Sequence, residues 1–244
     1  MAKGGGSRAR TGGRGRDAAK RPATGKPAKR RASGNTPKAA PVAEPSQPGP
    51  FRLGAIPGAT PGKWIDVWRE RMPRTALELV PLEVARQREA LLDGSVDAAL
   101  VRLPLDTTGL HVIPLYDEAP VVVVPADSHL TAADELDPAD LEGEVLVTPA
   151  DDVLGILIPG TVAPSFEAPT TTGDAIATVA AGVGVVVVPM SLARLHHRKD
   201  AEYRPLRAAA PSTVALAWPA HGTTASVEAF VGIVRGRTAN SSRR

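Results

Sequence analysis

The chain has 244 residues, 43% of them hydrophobic and 23% charged, which is enough apolar material for one large or two small domains with a true core. It has no cysteine, which excludes disulfides and thiolate metal sites. The net charge of +3 conceals two opposite halves: residues 1–50 carry twelve basic and two acidic side chains (net +10), and the remainder carries 17 and 24 (net −7).

Residues 1–50 hold no apolar run longer than Ala39-Ala40, so a secretory signal with its hydrophobic stretch does not fit. The longest apolar runs further on, such as residues 120–126, are far too short to span a membrane. A soluble cytoplasmic protein with no membrane partner is expected. Gly, Pro, Ala, Ser and basic residues dominate the first fifty positions without periodicity, and the composition predicts a disordered tail there. Within it Gly13-Arg14-Gly15-Arg16 resembles the centre of an AT-hook, whose arginines fit a narrow minor groove, although the flanking prolines are missing. Lys26-Pro27-Ala28-Lys29-Arg30-Arg31 looks like a histone-type tail that neutralises phosphates without reading bases. Arg14, Arg16, Lys29, Arg30 and Arg31 are therefore candidates for non-specific DNA contact, with a solubilising leader as the competing reading. Five of the seven lysines lie in this tail, which favours retained charge over chance.

From residue 51 the pattern becomes that of a folded protein. Residues 51–56 alternate like a strand and end in the turn signal Pro57-Gly58. Thr60 fits an N-cap with Pro61 at the first helical position, and Trp64, Val67, Trp68 and Met72 follow at helical spacing until Pro73. A strand is predicted over 76–82, a helix over 84–93 with Gly94 as its C-terminal cap, and a strand over 97–102. Such β-α-β-α-β alternation predicts a parallel sheet with ligands at the strand C-terminal ends. Residues 110–116 supply another strand, and the unbroken apolar run 120–125 reads as a strand buried on both faces. The same reading continues with a helix over 134–141, strands over 144–148 and 162–166, a helix over 174–181 and a buried strand over 183–188. A short helix over 191–196, a strand over 212–218 and a closing helix over 224–235 complete it.

This order of elements, with several local patterns, resembles the effector-binding half of LysR-type transcriptional regulators. The matching pieces are Phe51-Arg52-Leu53-Gly54, Arg71-Met72-Pro73, the run Leu91-Leu92-Asp93-Gly94-Ser95-Val96-Asp97, the segment 123–130 and the segment 179–189 ending in Pro189. The resemblance implies an α/β, two-lobed periplasmic-binding-protein-like fold of type 2, with lobe one at about 51–121 plus 212–240 and lobe two at about 122–211. It implies a small organic acid or similar metabolite bound between the lobes, no cofactor, and a homodimer or association with a full-length regulator. The family places a helix-turn-helix ahead of this domain, whereas here the basic tail stands in that position.

By position in that fold, the loop 57–63 presents backbone N–H groups at a helix N-terminus facing the cleft, a natural anion site that includes Ala59 and Thr60. Helix capping is Thr60's competing role. Arg102, ending its strand, would aim a guanidinium at a carboxylate, or else it is a surface arginine. Across the cleft Thr170, Thr171 and Thr172 offer hydroxyls before a helix, although Asp174 in its first turn would repel an anion and leave them as a cap. His129 reads as a turn residue. His196-His197 invites a metal, but adjacent side chains diverge, no supporting ligand lies at a suitable spacing, and Arg198-Lys199 opposes a cation. No nucleophile elbow, Walker loop, Rossmann fingerprint or acid–base pair is present, so the chain does not read as an enzyme. The alternative function is a non-specific DNA or nucleoid-binding protein using the tail, with the globular part as a dimerising scaffold.

Overall fold

The computed structural model describes residues 49–236. Arg14, Arg16, Lys29, Arg30 and Arg31 lie outside the described residues, as do residues 237–240 of the expected domain. In chain order the elements are β1 (Phe51–Ala55), α1 (Gly62–Arg71), β2 (Leu77–Pro81), α2 (Gln87–Leu92), β3 (Ala98–Arg102), β4 (Leu110–Glu118), β5 (Pro120–Pro125), α3 (Thr172–Ala180), β6 (Val186–Pro189), α4 (Met190–Leu195), β7 (Ala201–Pro205), β8 (Ser212–Pro219) and α5 (Ala225–Val234). Strands β1 to β4 and β8 form one sheet in the order β2-β1-β3-β8-β4, and β5 to β7 form another in the order β6-β5-β7. Each sheet with its helices is one lobe of the two-lobed α/β fold.

The expected parallel pairing holds for β1 with β2 and with β3, where helices supply the crossovers. It stops there. β8 runs antiparallel between β3 and β4, and β5 is antiparallel to both its neighbours. These strands lie next to partners that are distant in sequence, so the order of elements along the chain cannot reveal their direction.

Two apolar layers sandwich each sheet. In the first lobe Phe51 of β1 stacks on Trp68 of α1 with ring centroids 4.7 Å apart, and Phe230 of α5 closes the cluster 5.3 Å from Phe51. Trp68 is fully buried, and its indole N–H is satisfied by the Thr75 carbonyl at 3.0 Å, whereas Trp64 is only partly buried against the same cluster. In the second lobe the valine runs divide by parity: Val121, Val123, Val186 and Val188 pack on α3 and α4, while Val122, Val124, Val185 and Val187 face a cluster built on Leu130, Leu136 and Leu141. That is why β5 reads as continuously apolar.

Three sequence expectations fail in the second lobe. Residues 134–141 form no α-helix; there are 3-10 turns at His129–Ala132 and Pro138–Leu141, the latter held by reciprocal capping between Asp137 and Asp140. The strands expected at 144–148 and 162–166 shrink to isolated bridges, Val145 to Val162 and Leu146 to Val185. Pro164 interrupts the second stretch, and Pro149 directly after the first and Pro159 shortly before the second limit any continuing ladder. Strand β7, with the sequence Ala-Glu-Tyr-Arg-Pro, lacks alternation and was not anticipated; Arg204 secures it by donating to the carbonyls of Ala133 and Thr131, both at 2.7 Å. Gly184 lets α3 turn tightly toward β6: its φ is +62°, and a Cβ there would run into the Val145 carbonyl.

Trp68→Ala is expected to cost about 3–5 kcal/mol, because it empties the centre of the aromatic cluster. Urea unfolding checks this, and Trp64→Ala should cost clearly less.

Candidate functional site

The chain leaves the first sheet at Glu118, enters the second at Pro120, and returns between Pro205 and Ser212. Arg102 ends β3 beside these crossings. It is 2% exposed, and its guanidinium donates to Glu118 at 2.8 Å and to the Ser212 hydroxyl at 2.6 Å. Gln87 of α2 fixes the backbone of Arg102 from both sides, accepting from its N–H and donating to its carbonyl, each at 2.8 Å. The Glu118 side chain is 10% exposed and also accepts from Ser191 at 3.0 Å. Nearby, burial first and the Glu118 carboxylate second push the Tyr116 phenol above its usual range, and Arg102 partly offsets them. The guanidinium that the sequence offers to a ligand is thus already paired with a carboxylate of the chain itself.

The β1–α1 loop is in a different state. Pro61, not Thr60, occupies the N-cap of α1, and the helix has neither a side-chain cap nor an acidic residue in its first turn. Thr60 as the expected cap is corrected on this point: the helix begins one residue later, and the Thr60 side chain is exposed with no hydrogen-bond partner among the described residues. The N–H of Ala59 is used within the loop, donating to Ile56 at 3.2 Å. Gly58, with φ +84°, lies so close to Ser191 of α4 that a Cβ would come within 2.8 Å of the Ser191 Cβ. The loop of the first lobe therefore abuts the second lobe.

At α3 the helix start is closed. Thr171 is its N-cap, accepting from the Asp174 N–H at 3.1 Å and donating to the Asp174 carboxylate at 2.8 Å. Thr172 is buried, and its hydroxyl donates to Asp151 at 2.8 Å. Two carboxylates thus already compensate the positive end of this helix dipole. No hydrogen bond links Thr60, Arg102 and Thr171 to one another among the described residues. Among these residues, no group of three His, Asp or Glu side chains could hold a metal ion; His196 rests instead against Gly173.

Glu118, Ser191, Ser212 and Gln87 were not singled out by the sequence reading. The only local signal is that Glu118 is the last charged residue before the run of four valines, where an acid at the mouth of a buried strand needs a partner.

The family model described as the LysR substrate binding domain matches residues 46–239. The chain belongs to the LysR substrate-binding-domain family. It is 28% identical over 203 residues to the Hca operon transcriptional activator HcaR of Escherichia coli, an alignment that covers 77% of this chain and 68% of HcaR. It is 40% identical over 93 residues to a probable hydrogen peroxide-inducible genes activator of Mycobacterium xenopi, covering 37% of this chain and 49% of that protein. Among solved structures it resembles the effector-binding domain of a BenM variant, with a TM-score of 0.65 and 21% identity over 80% of this chain and 97% of that one. It also resembles an OxyR regulatory domain of Pseudomonas aeruginosa, with a TM-score of 0.60 and 26% identity over 77% and 96%. The fold is therefore the type 2 periplasmic-binding-protein-like fold of LysR effector domains, and the relatives are transcriptional regulators, not enzymes. No helix of the described residues is long and apolar enough to cross a membrane.

Arg102→Met leaves the Glu118 carboxylate buried without its cation and is expected to destabilise by about 3–5 kcal/mol. Adding Glu118→Leu should return much of that loss, which a double-mutant cycle by urea denaturation measures.

Proposed function

We propose that this chain senses a small organic acid or similar metabolite held between its two lobes, and that occupancy controls transcription through association with DNA-binding partners. The lobes act as jaws, expected at about 51–121 with 212–240 and about 122–211 and taken with their boundary at residue 119, because β5 from Pro120 onward belongs to the second sheet. The observation that carries this reading is the uncapped start of α1. Its free N–H groups and the unpartnered Thr60 hydroxyl sit in a loop that touches the second lobe through Gly58 and Ser191. The α3 start is a poorer anion site because Asp151 and Asp174 already occupy it, and the hydroxyl protons of Thr171 and Thr172 are given to them, so these two residues act on a ligand through the shape they give the helix end. Arg102 orders the cleft wall rather than ion-pairing with the ligand, unless the ligand displaces Glu118. Ala59 contributes its backbone position.

The chain spans 68% of HcaR and about half of other curated regulators it matches, so control of a promoter is part of the proposal. The chain would form a homodimer or a complex with a full-length regulator, and the latter would supply sequence reading. A second route rests on the net +10 of residues 1–50, which would give non-specific contact with DNA while the globular part serves as a dimerising scaffold.

A thermal-shift screen of the full chain against metabolite carboxylates, benzoate and succinate included, should find a saturable stabilisation, on the order of 3 kcal/mol at a hundredfold excess over Kd. Thr60→Ala should weaken it while leaving the ligand-free Tm unchanged. Flat responses throughout favour the scaffold. In that case, binding to random-sequence duplex should fall by roughly one log unit per phosphate contact per log unit of salt and should be lost when residues 1–50 are removed.

A further inference from the structure

We propose that Arg102, Glu118 and Ser191 form an interlobe latch that sets the angle between the two lobes. The guanidinium reaches both crossings at once. One terminal nitrogen donates to Glu118, the last residue of β4 before the chain passes to β5, and the other donates to Ser212, the first residue of β8 after the chain returns. The side chain adds to a pairing already made by the backbone, since Glu118 faces Ser212 in the β4–β8 ladder. The Gln87 side chain, bonded to the N–H and carbonyl of Arg102, holds this staple in position from the first lobe's interior.

The latch extends to the second lobe through one atom. Glu118 Oε2 accepts from Arg102 and, at 3.0 Å, from the Ser191 hydroxyl near the start of α4. The N–H of Met190, next to Ser191, donates to the Ala119 carbonyl at 3.2 Å, which fixes the same helix start to the crossing itself. Gly58 closes the contact from the other side, because only a residue without a Cβ lets the β1–α1 loop come this close to Ser191. Rotation of the second lobe about its crossings must carry Ser191 away from Glu118 or into Gly58. The arrangement has a firm inner half, a buried ion pair, and a yielding outer half, one hydroxyl bond. An ion pair serving only the first lobe's core would need no bond to Ser191 of the second lobe. The latch operates with or without an effector and so stands apart from the functional reading above.

The absence of cysteine makes the test direct. Spin labels on Glu78→Cys and Lys199→Cys, exposed positions on the first and second lobes, report the interlobe distance by pulsed electron resonance in the full chain. Labels on Glu78→Cys and Glu228→Cys, both in the first lobe, serve as reference. Ser191→Ala and Glu118→Gln are expected to shift or widen the interlobe distribution by ~2 Å or more while the reference pair stays sharp. The latch is overturned by an interlobe distribution that matches the parent's in both variants. It is equally overturned by a reference pair that broadens as much as the interlobe one, since the cluster would then belong to the first lobe's core alone.

Discussion

A guanidinium that is 98% withdrawn from water must be neutralised where it lies, and the way Arg102 is neutralised organises the rest of the molecule. Its partner comes from the end of β4, its second acceptor from the start of β8, and its backbone is held by α2. A buried ion pair adds little net stability against an apolar replacement, but it punishes any arrangement that separates the partners. Here the two acceptors of Arg102, Glu118 and Ser212, lie where the chain leaves and re-enters the first sheet. The pair therefore specifies how the crossings sit together more than it strengthens the fold.

The same pairing changes the electrostatics of the junction. A free arginine would make this wall a carboxylate receptor, whereas the Arg102–Glu118 pair is close to neutral. The second helix start is likewise supplied with negative charge by Asp151 and Asp174. What remains open to an anion is the uncapped turn of α1 with Thr60 beside it. The two lobes thus present unlike helix ends, one without a side-chain cap and one occupied.

Much of the fold was legible because local patterning and global structure agree. The alternation of strands and helices through β3, the helical spacing of Trp64, Val67, Trp68 and Met72 and the four consecutive valines of β5 each reflect burial that the sequence must encode locally. Legibility failed where structure depends on distant partners. β7 is a strand because β5 offers it an edge, not because Ala-Glu-Tyr-Arg-Pro looks like one. The stretch around Pro138 keeps helical spacing but is too short and too well capped by its own aspartates to extend beyond a 3-10 turn. At the site, Thr60, Arg102, Thr171 and Thr172 could be picked out as polar residues at element ends. The claim of Asp174 on Thr171, three positions away, could be read as well, whereas those of Glu118 on Arg102 and Asp151 on Thr172 could not, since these partners lie 16 and 21 positions away and only the fold brings them close. Glu118 itself looks like an ordinary boundary acid until its neighbours across the crossing are known.

The central claim is that the two lobes together receive one small molecule. It is tested most directly by following backbone amide resonances of the isotope-labelled chain during titration with a stabilising carboxylate. The account predicts saturable shifts that cluster in residues 57–63 of the first lobe and, at the same ligand concentration, around residues 170–173 and 190–192 of the second. Shifts confined to one lobe, or scattered over the surface without saturation, would contradict it.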